Sequence, residues 1–153
     1  MFHIVLYQPE IPPNTGNIIR LCANSGAHLH LIHPLGFQLE DKKLKRAGLD
    51  YSEWARIAEY ADLEAFYTKV QPSQVYAFSA KAQHFYHQAQ FQPQAALLFG
   101  PETRGLPPSV LQNLAPEAQL KIPMQPGSRS LNLSNAVAIV VYEALRQQGF
   151  ATF

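Results

Sequence analysis

The chain has 153 residues, 47% hydrophobic and 15% charged, with a formal net charge of +1, which is the composition of a folded soluble domain. That near-neutrality excludes a nucleic-acid binder working by bulk attraction, although it leaves room for a local basic patch. The single cysteine, Cys22, excludes an internal disulfide and fits a reducing cytoplasm, and no apolar run reaches membrane-spanning length.

The first residues lack the basic start and apolar core of a signal peptide, so one cytoplasmic domain over residues 1–153 is expected. Residues 2–7 form an apolar run of strand length, and the adjacent Pro12 and Pro13 predict a loop that ends at Asn14. A helix follows over 14–25, closed by Gly26. It has Ile18, Leu21, Cys22 and Ser25 on one stripe and Asn17, Arg20 and Asn24 on the opposite one. A second strand is predicted over 27–33, ending at Pro34 and Gly36. The densest charge comes next, with Lys42, Lys43, Lys45 and Arg46 placing four cations within five positions. Such a run suits phosphates or a solvated helix face. Tyr51 and Trp54 beyond it suit base stacking or packing beneath a loop.

A strand over 56–60, a helix over 63–70 started by Asp62 and a strand over 75–79 continue the alternation. His84 and His87 in the glutamine-rich tract that follows lack a third ligand at conventional spacing, so no metal is expected. A buried-type strand over 95–99 runs directly into GPETRG at 100–105; a helix over 109–114 and a last strand over 119–122 complete the series. Alternating strands and helices predict an α/β domain with a mainly parallel sheet. Ligands in such sheets sit beyond the carboxyl ends of the strands, where the unusual loops 12–17, 100–105 and 124–132, and the loop after Phe78, are expected.

The C-terminal stretch IPMQPGSRSLNLSNAVAIVVYEALRQ organises the rest. A polar loop containing Pro126, Gly127, Ser128, Arg129, Ser130 and Asn132 opens a helix over 133–145, whose free N–H groups favour a polar or anionic ligand. The alternative is an ordinary strand-to-helix loop whose Asn132 or Ser134 caps the helix. The helix is apolar on every face, so one face packs on its own domain and the other needs a second partner. Neither GxGxxG nor GxxxxGK[ST] nor GxSxG occurs, and Cys22 lies on an apolar stripe. A site of Asn, Arg, Glu and Ser with no evident nucleophile implies positioning chemistry with the reactive group supplied from outside.

NTGNIIR (14–20), LLFGPETRGL (97–106) and the stretch 122–146 together resemble the three motifs of the SPOUT methyltransferases, and HPLGFQLEDKKLKRAGLDY (33–51) extends the likeness between them. Within that superfamily the likeness is to the enzymes that methylate the ribose 2'-hydroxyl of the wobble nucleotide 34, cytidine or modified uridine, in leucine tRNAs. The resemblance implies a C-terminal deep trefoil knot that binds S-adenosylmethionine and releases S-adenosylhomocysteine, and a homodimer through the C-terminal helix. It implies cofactor contacts from Phe78, Gly100, Glu102, Ile122, Met124, Ser130 and Leu131. Arg20 is assigned to the methyl-transfer step, with Asn14, Glu102, Ser130 and Asn132 orienting substrate and cofactor. Two alternatives are a non-catalytic RNA-binding module, which the presence of Arg20, Ser130 and Asn132 disfavours, and a nicotinamide enzyme, which the missing glycine fingerprint disfavours.

Overall fold

The computed structural model of the protein describes residues 1–40 and 57–153. In chain order its elements are β1 (His3–Tyr7), α1 (Pro12–Ser25), β2 (His28–Ile32), β3 (Ile57–Tyr60), α2 (Leu63–Val70), β4 (Val75–Phe78), β5 (His84–Phe85), β6 (Ala96–Phe99), α3 (Pro108–Leu111), β7 (Gln119–Lys121) and α4 (Leu133–Gln147). The strands form one seven-stranded sheet in the order β3-β2-β1-β6-β4-β7-β5, and the pairings between neighbours are parallel. The alternation read from the sequence therefore yields the parallel α/β sheet it predicts.

The central strands β1 and β6 are buried because both sheet faces are covered. Successive side chains of a strand point to opposite faces. Ile4 and Leu6 of β1, with Leu29, Leu31 and Leu97, pack against Ile18, Ile19 and Cys22 of α1 and Val137, Val140 and Val141 of α4. On the other face Val5, Ala96 and Leu98 join Ile32, Tyr60, Phe66 and Leu106. The second core carries a polar chain: His3 Nδ1 lies 2.9 Å from His30 Nε2, and His30 Nδ1 lies 2.9 Å from the Tyr60 hydroxyl. Burial, reinforced by the neighbouring His3 and His28, pushes the His30 pKa down to about 3.

Several boundaries move. The helix predicted from Asn14 begins at Pro12, because prolines occupy its first turn, where their missing N–H groups have no intrahelical partner to lose. What was expected as a loop over 12–17 is thus the entrance of α1. Ile18, Cys22 and Ser25 are buried and Asn17, Arg20 and Asn24 exposed, as the stripes predict, and Gly26 closes the helix at φ 78°. Asp62 caps α2 by accepting from the Ala65 N–H at 2.8 Å. The helix expected over 109–114 spans only Pro108–Leu111, and α4 runs on to Gln147. Lys42, Lys43, Lys45, Arg46, Tyr51 and Trp54 lie outside the described residues. Among those described, no helix is long and apolar enough to cross a membrane, and no group of three or more His, Cys, Asp or Glu side chains is placed to hold a metal ion.

Candidate functional site

A cavity of about 410 Å³ opens beyond the carboxyl ends of β4 and β6, at the place parallel sheets reserve for ligands. Its floor is the ends of those strands, Phe78 and Phe99, whose rings stack 4.7 Å apart at 8°. One wall is the 100–106 loop, a second is the 122–132 segment that leads into α4, and a third is the entrance of α1 at Ile11 and Asn14. Of the residues singled out from sequence, Phe78, Gly100, Glu102, Ile122, Met124, Ser130, Leu131, Asn14 and Asn132 all line it. Arg20 does not; it stands on the exposed face of α1.

A continuous hydrogen-bond network joins the three walls. The Glu102 carboxylate accepts from the Glu10 N–H at 2.8 Å, the Ile11 N–H at 2.7 Å and the Asn14 side-chain amide at 3.2 Å. The carboxylate thus sits just ahead of the first turn of α1, on the N–H groups of the two residues that precede the helix, where the helix dipole favours negative charge. The Asn14 carbonyl in turn accepts from the Asn132 amide at 2.9 Å, and Asn132 Oδ1 accepts from the Ser134 N–H at 2.9 Å. Asn132 therefore caps α4, one of the readings the sequence left open, and in addition ties that cap to α1. Glutamate and two asparagines form the network because a carboxylate only accepts, whereas each amide donates on one side and accepts on the other.

The 100–106 loop is packed against itself. A Cβ on Gly100 would lie 2.4 Å from the Leu106 nitrogen and 2.5 Å from the Gly105 carbonyl carbon, so only glycine fits. The close approach that this glycine permits is by the loop's own returning backbone at Gly105 and Leu106. Glu10 holds the loop from outside: its Oε1 accepts from the Thr103 N–H at 3.0 Å and the Thr103 hydroxyl at 2.8 Å. These bonds, with Arg104 near the carboxylate, hold the Glu10 pKa below the usual carboxylate range. Sequence reading missed Glu10, which lies between Pro9 and Ile11 with no motif signal of its own. It also missed the cations at the cavity, Lys81, Arg104 and Lys121. Their signal, one basic residue in each of three segments distant in sequence, becomes visible only once the sheet brings them together.

The cavity also exposes apolar surface. Met124 is 41% and Leu131 40% exposed, both on the wall formed by the 122–132 segment. A site with apolar side chains, a few convergent amides and a carboxylate is built to orient a small molecule with apolar and polar ends.

The profile of the SpoU rRNA Methylase family matches residues 1–142. A protein from Saccharophagus degradans named tRNA (cytidine(34)-2'-O)-methyltransferase is 55% identical over 151 residues, which span 99% of this chain and 98% of that one. A solved structure described as giving insight into the 2-OH methylation of C/U34 on tRNA superposes with a TM-score of 0.89 at 48% identity, covering 98% of this chain and 97% of its own. The AdoMet-bound rRNA methyltransferase of Sinorhizobium meliloti superposes with a TM-score of 0.82 at 28% identity, covering 95% of this chain and 56% of its own.

Proposed function

We propose, from the premise that the chain belongs to the SpoU rRNA Methylase family, that it transfers the methyl group of S-adenosylmethionine to the ribose 2'-hydroxyl of nucleotide 34, cytidine or modified uridine, in leucine tRNAs. The observation that carries the reading is the cavity itself. Phe78 and the eight motif residues named above converge on it, with Glu102, Asn14 and Asn132 joined in one network. Its volume of about 410 Å³ falls within the range of small-molecule sites. Met124 and Leu131 offer the exposed apolar surface that an adenosine would cover, and Ser130 and the amides offer polar partners. S-adenosylmethionine supplies an activated methyl group on sulfur, open to in-line displacement.

The residues of the chain position the reaction. The acceptor hydroxyl is a poor nucleophile that loses its proton as it attacks, so alignment and a proton acceptor are both required. Asn14, Glu102, Ser130 and Asn132 hold the cavity wall against which the two reactants meet. The Arg20 guanidinium is a planar fork of N–H donors with no acceptor, so its role is to clamp the phosphate beside the acceptor ribose from the exposed face of α1. Lys81, Arg104 and Lys121, and the run Lys42, Lys43, Lys45 and Arg46, add local contacts to RNA whose strength falls with salt.

Three further parts belong to the same reading. The chain acts as one cytoplasmic domain and as a homodimer, supported by the exposed Ile139 and Tyr142 on α4, with Phe150 6.5 Å from Tyr142. Light scattering that returned a monomer mass at micromolar protein would remove the dimer. The segment after β7 forms the C-terminal trefoil knot. In support, β7 lies three strands from β1, yet the segment after it returns past the ends of β4 and β6 to meet α1 through Asn132 and Asn14. The test of the whole reading is methyl transfer from labelled S-adenosylmethionine to RNA from cells lacking the activity, with NADH titrated calorimetrically as the competing ligand class. Binding of NADH and no transfer would replace it with a nicotinamide enzyme.

A further inference from the structure

The 100–106 loop meets the entrance of α1 through two carboxylates that point in opposite directions. Glu102 reaches from the loop and accepts from the N–H groups of Glu10 and Ile11 at 2.8 and 2.7 Å. Glu10 reaches from the α1 entrance and accepts from the N–H and hydroxyl of Thr103 at 3.0 and 2.8 Å. Each segment thus supplies the acceptor for the other's backbone. Removing either carboxylate leaves backbone donors of the partner segment without their charged acceptor, and charge-assisted bonds are about twice as strong as neutral ones. Glu102 also touches the cavity, whereas Glu10 does not line it and its side chain hydrogen-bonds to Thr103.

We propose that Glu10 is a positioning residue for the cavity: by holding Thr103 it fixes the 100–106 wall at the place where S-adenosylmethionine is bound, and so sets cofactor affinity without touching the cofactor. The proposal rests on the reading of the cavity as the cofactor site for its second consequence, but not for its first, which is the order of the loop itself. The geometry also says which feature of Glu10 matters. Both Thr103 bonds go to one oxygen, Oε1, while Oε2 faces the Arg104 guanidinium at 3.8 Å. Arg104 is largely exposed, so that contact adds little. A glutamine retains an acceptor oxygen for Thr103 and loses only the charge, whereas an alanine loses both.

The experiment compares wild type, Glu10→Gln, Glu10→Ala and Thr103→Val by amide hydrogen exchange without ligand, and by calorimetric titration with S-adenosylhomocysteine. The expected result is that Glu10→Ala speeds exchange across 100–106 and weakens S-adenosylhomocysteine by about tenfold. Glu10→Gln stays within about threefold of wild type in both readouts, and Thr103→Val, which keeps its N–H, falls between them. Unchanged loop exchange in Glu10→Ala overturns the proposal whatever the ligand does. A Glu10→Gln variant as weak as Glu10→Ala also overturns it, because the charge and not the bond would then be the cause. Wild-type protein that ignores S-adenosylhomocysteine while Glu10→Ala loosens the loop would strike the cofactor reading and leave the loop assignment standing. Should Glu10→Ala fail to fold, Thr103→Val decides: wild-type exchange and affinity there count against the clamp.

Discussion

Replacing Gly100 with alanine tests whether the 100–106 loop is a rigid wall of the cavity. The added Cβ would stand 2.4 Å from the Leu106 nitrogen and 2.5 Å from the Gly105 carbonyl carbon, where ordinary contact begins near 3.4 Å. Both atoms are backbone, so no side-chain rotation relieves the overlap, and the loop must retreat by about 1 Å to restore contact distances. Overpacking of this kind costs about 1–3 kcal/mol. For a chain of this length each kcal/mol lowers the thermal midpoint by about 2–4 °C, so a fall of about 2–12 °C is expected. The retreat moves Glu102 and Thr103 relative to the α1 entrance, which loosens the bonds that join the walls. S-adenosylhomocysteine affinity, read by calorimetry, is expected to drop by at least about tenfold, or roughly 1.4 kcal/mol. An unchanged midpoint would refute the close packing. A lowered midpoint with wild-type affinity would refute the loop's role as a cavity wall.

Arg20→Ala should abolish single-turnover methyl transfer while cofactor affinity changes by less than about tenfold and the melting temperature barely moves, because Arg20 sits on the exposed face of α1 and off the cavity. A wild-type rate would remove the assignment, and a collapsed melting temperature would make Arg20 structural. Asn132→Ala should lose about 1 kcal/mol of helix capping, whereas Asn132→Asp keeps the cap and loses the donor to Asn14. Differential scanning calorimetry should therefore separate the two, and methyl transfer should fall in both; equal melting points would contradict the capping role. His30 is held neutral down to about pH 3 in the folded protein, while in the unfolded chain it protonates near pH 6.5. The unfolded state thus binds more protons between those values, and stability falls as pH falls through that window, by up to about 1.4 kcal/mol per pH unit from this group. Thermal melts from pH 7 to 4.5 should show a shallower slope in His30→Gln, and an identical slope would place the titration elsewhere.

Much of this architecture is legible in the residue pattern because local rules dominate there. The apolar run at β6, the cap at Asp62 and the Gly26 stop each act within a few residues, and each appears where the sequence predicts. The start of α1 lies two residues ahead of the predicted one because prolines, which break a helix interior, are tolerated in a first turn. The site divides in the same way. Gly100, Glu102, Ser130 and Asn132 were accessible through motif resemblance, but the clamp by Glu10 spans 93 positions to Thr103, and no local pattern encodes a bond of that reach. The bond from Asn132 to Asn14 spans 118 positions and is likewise a product of the fold. Arg20 shows the converse: its polar stripe was legible, while its place outside the cavity wall was not.

The central claim, that a ribose 2'-hydroxyl at nucleotide 34 accepts the methyl group, is tested most directly with two otherwise identical leucine tRNAs, one carrying cytidine and one 2'-deoxycytidine at that position. Incubation with labelled S-adenosylmethionine, followed by nuclease digestion and mass spectrometry, reads both transfer and position. The account predicts a single methyl group on the ribose of nucleotide 34 in the first tRNA and no incorporation in the second. Equal labelling of both tRNAs, or a methyl group on a base or at another nucleotide, would contradict it.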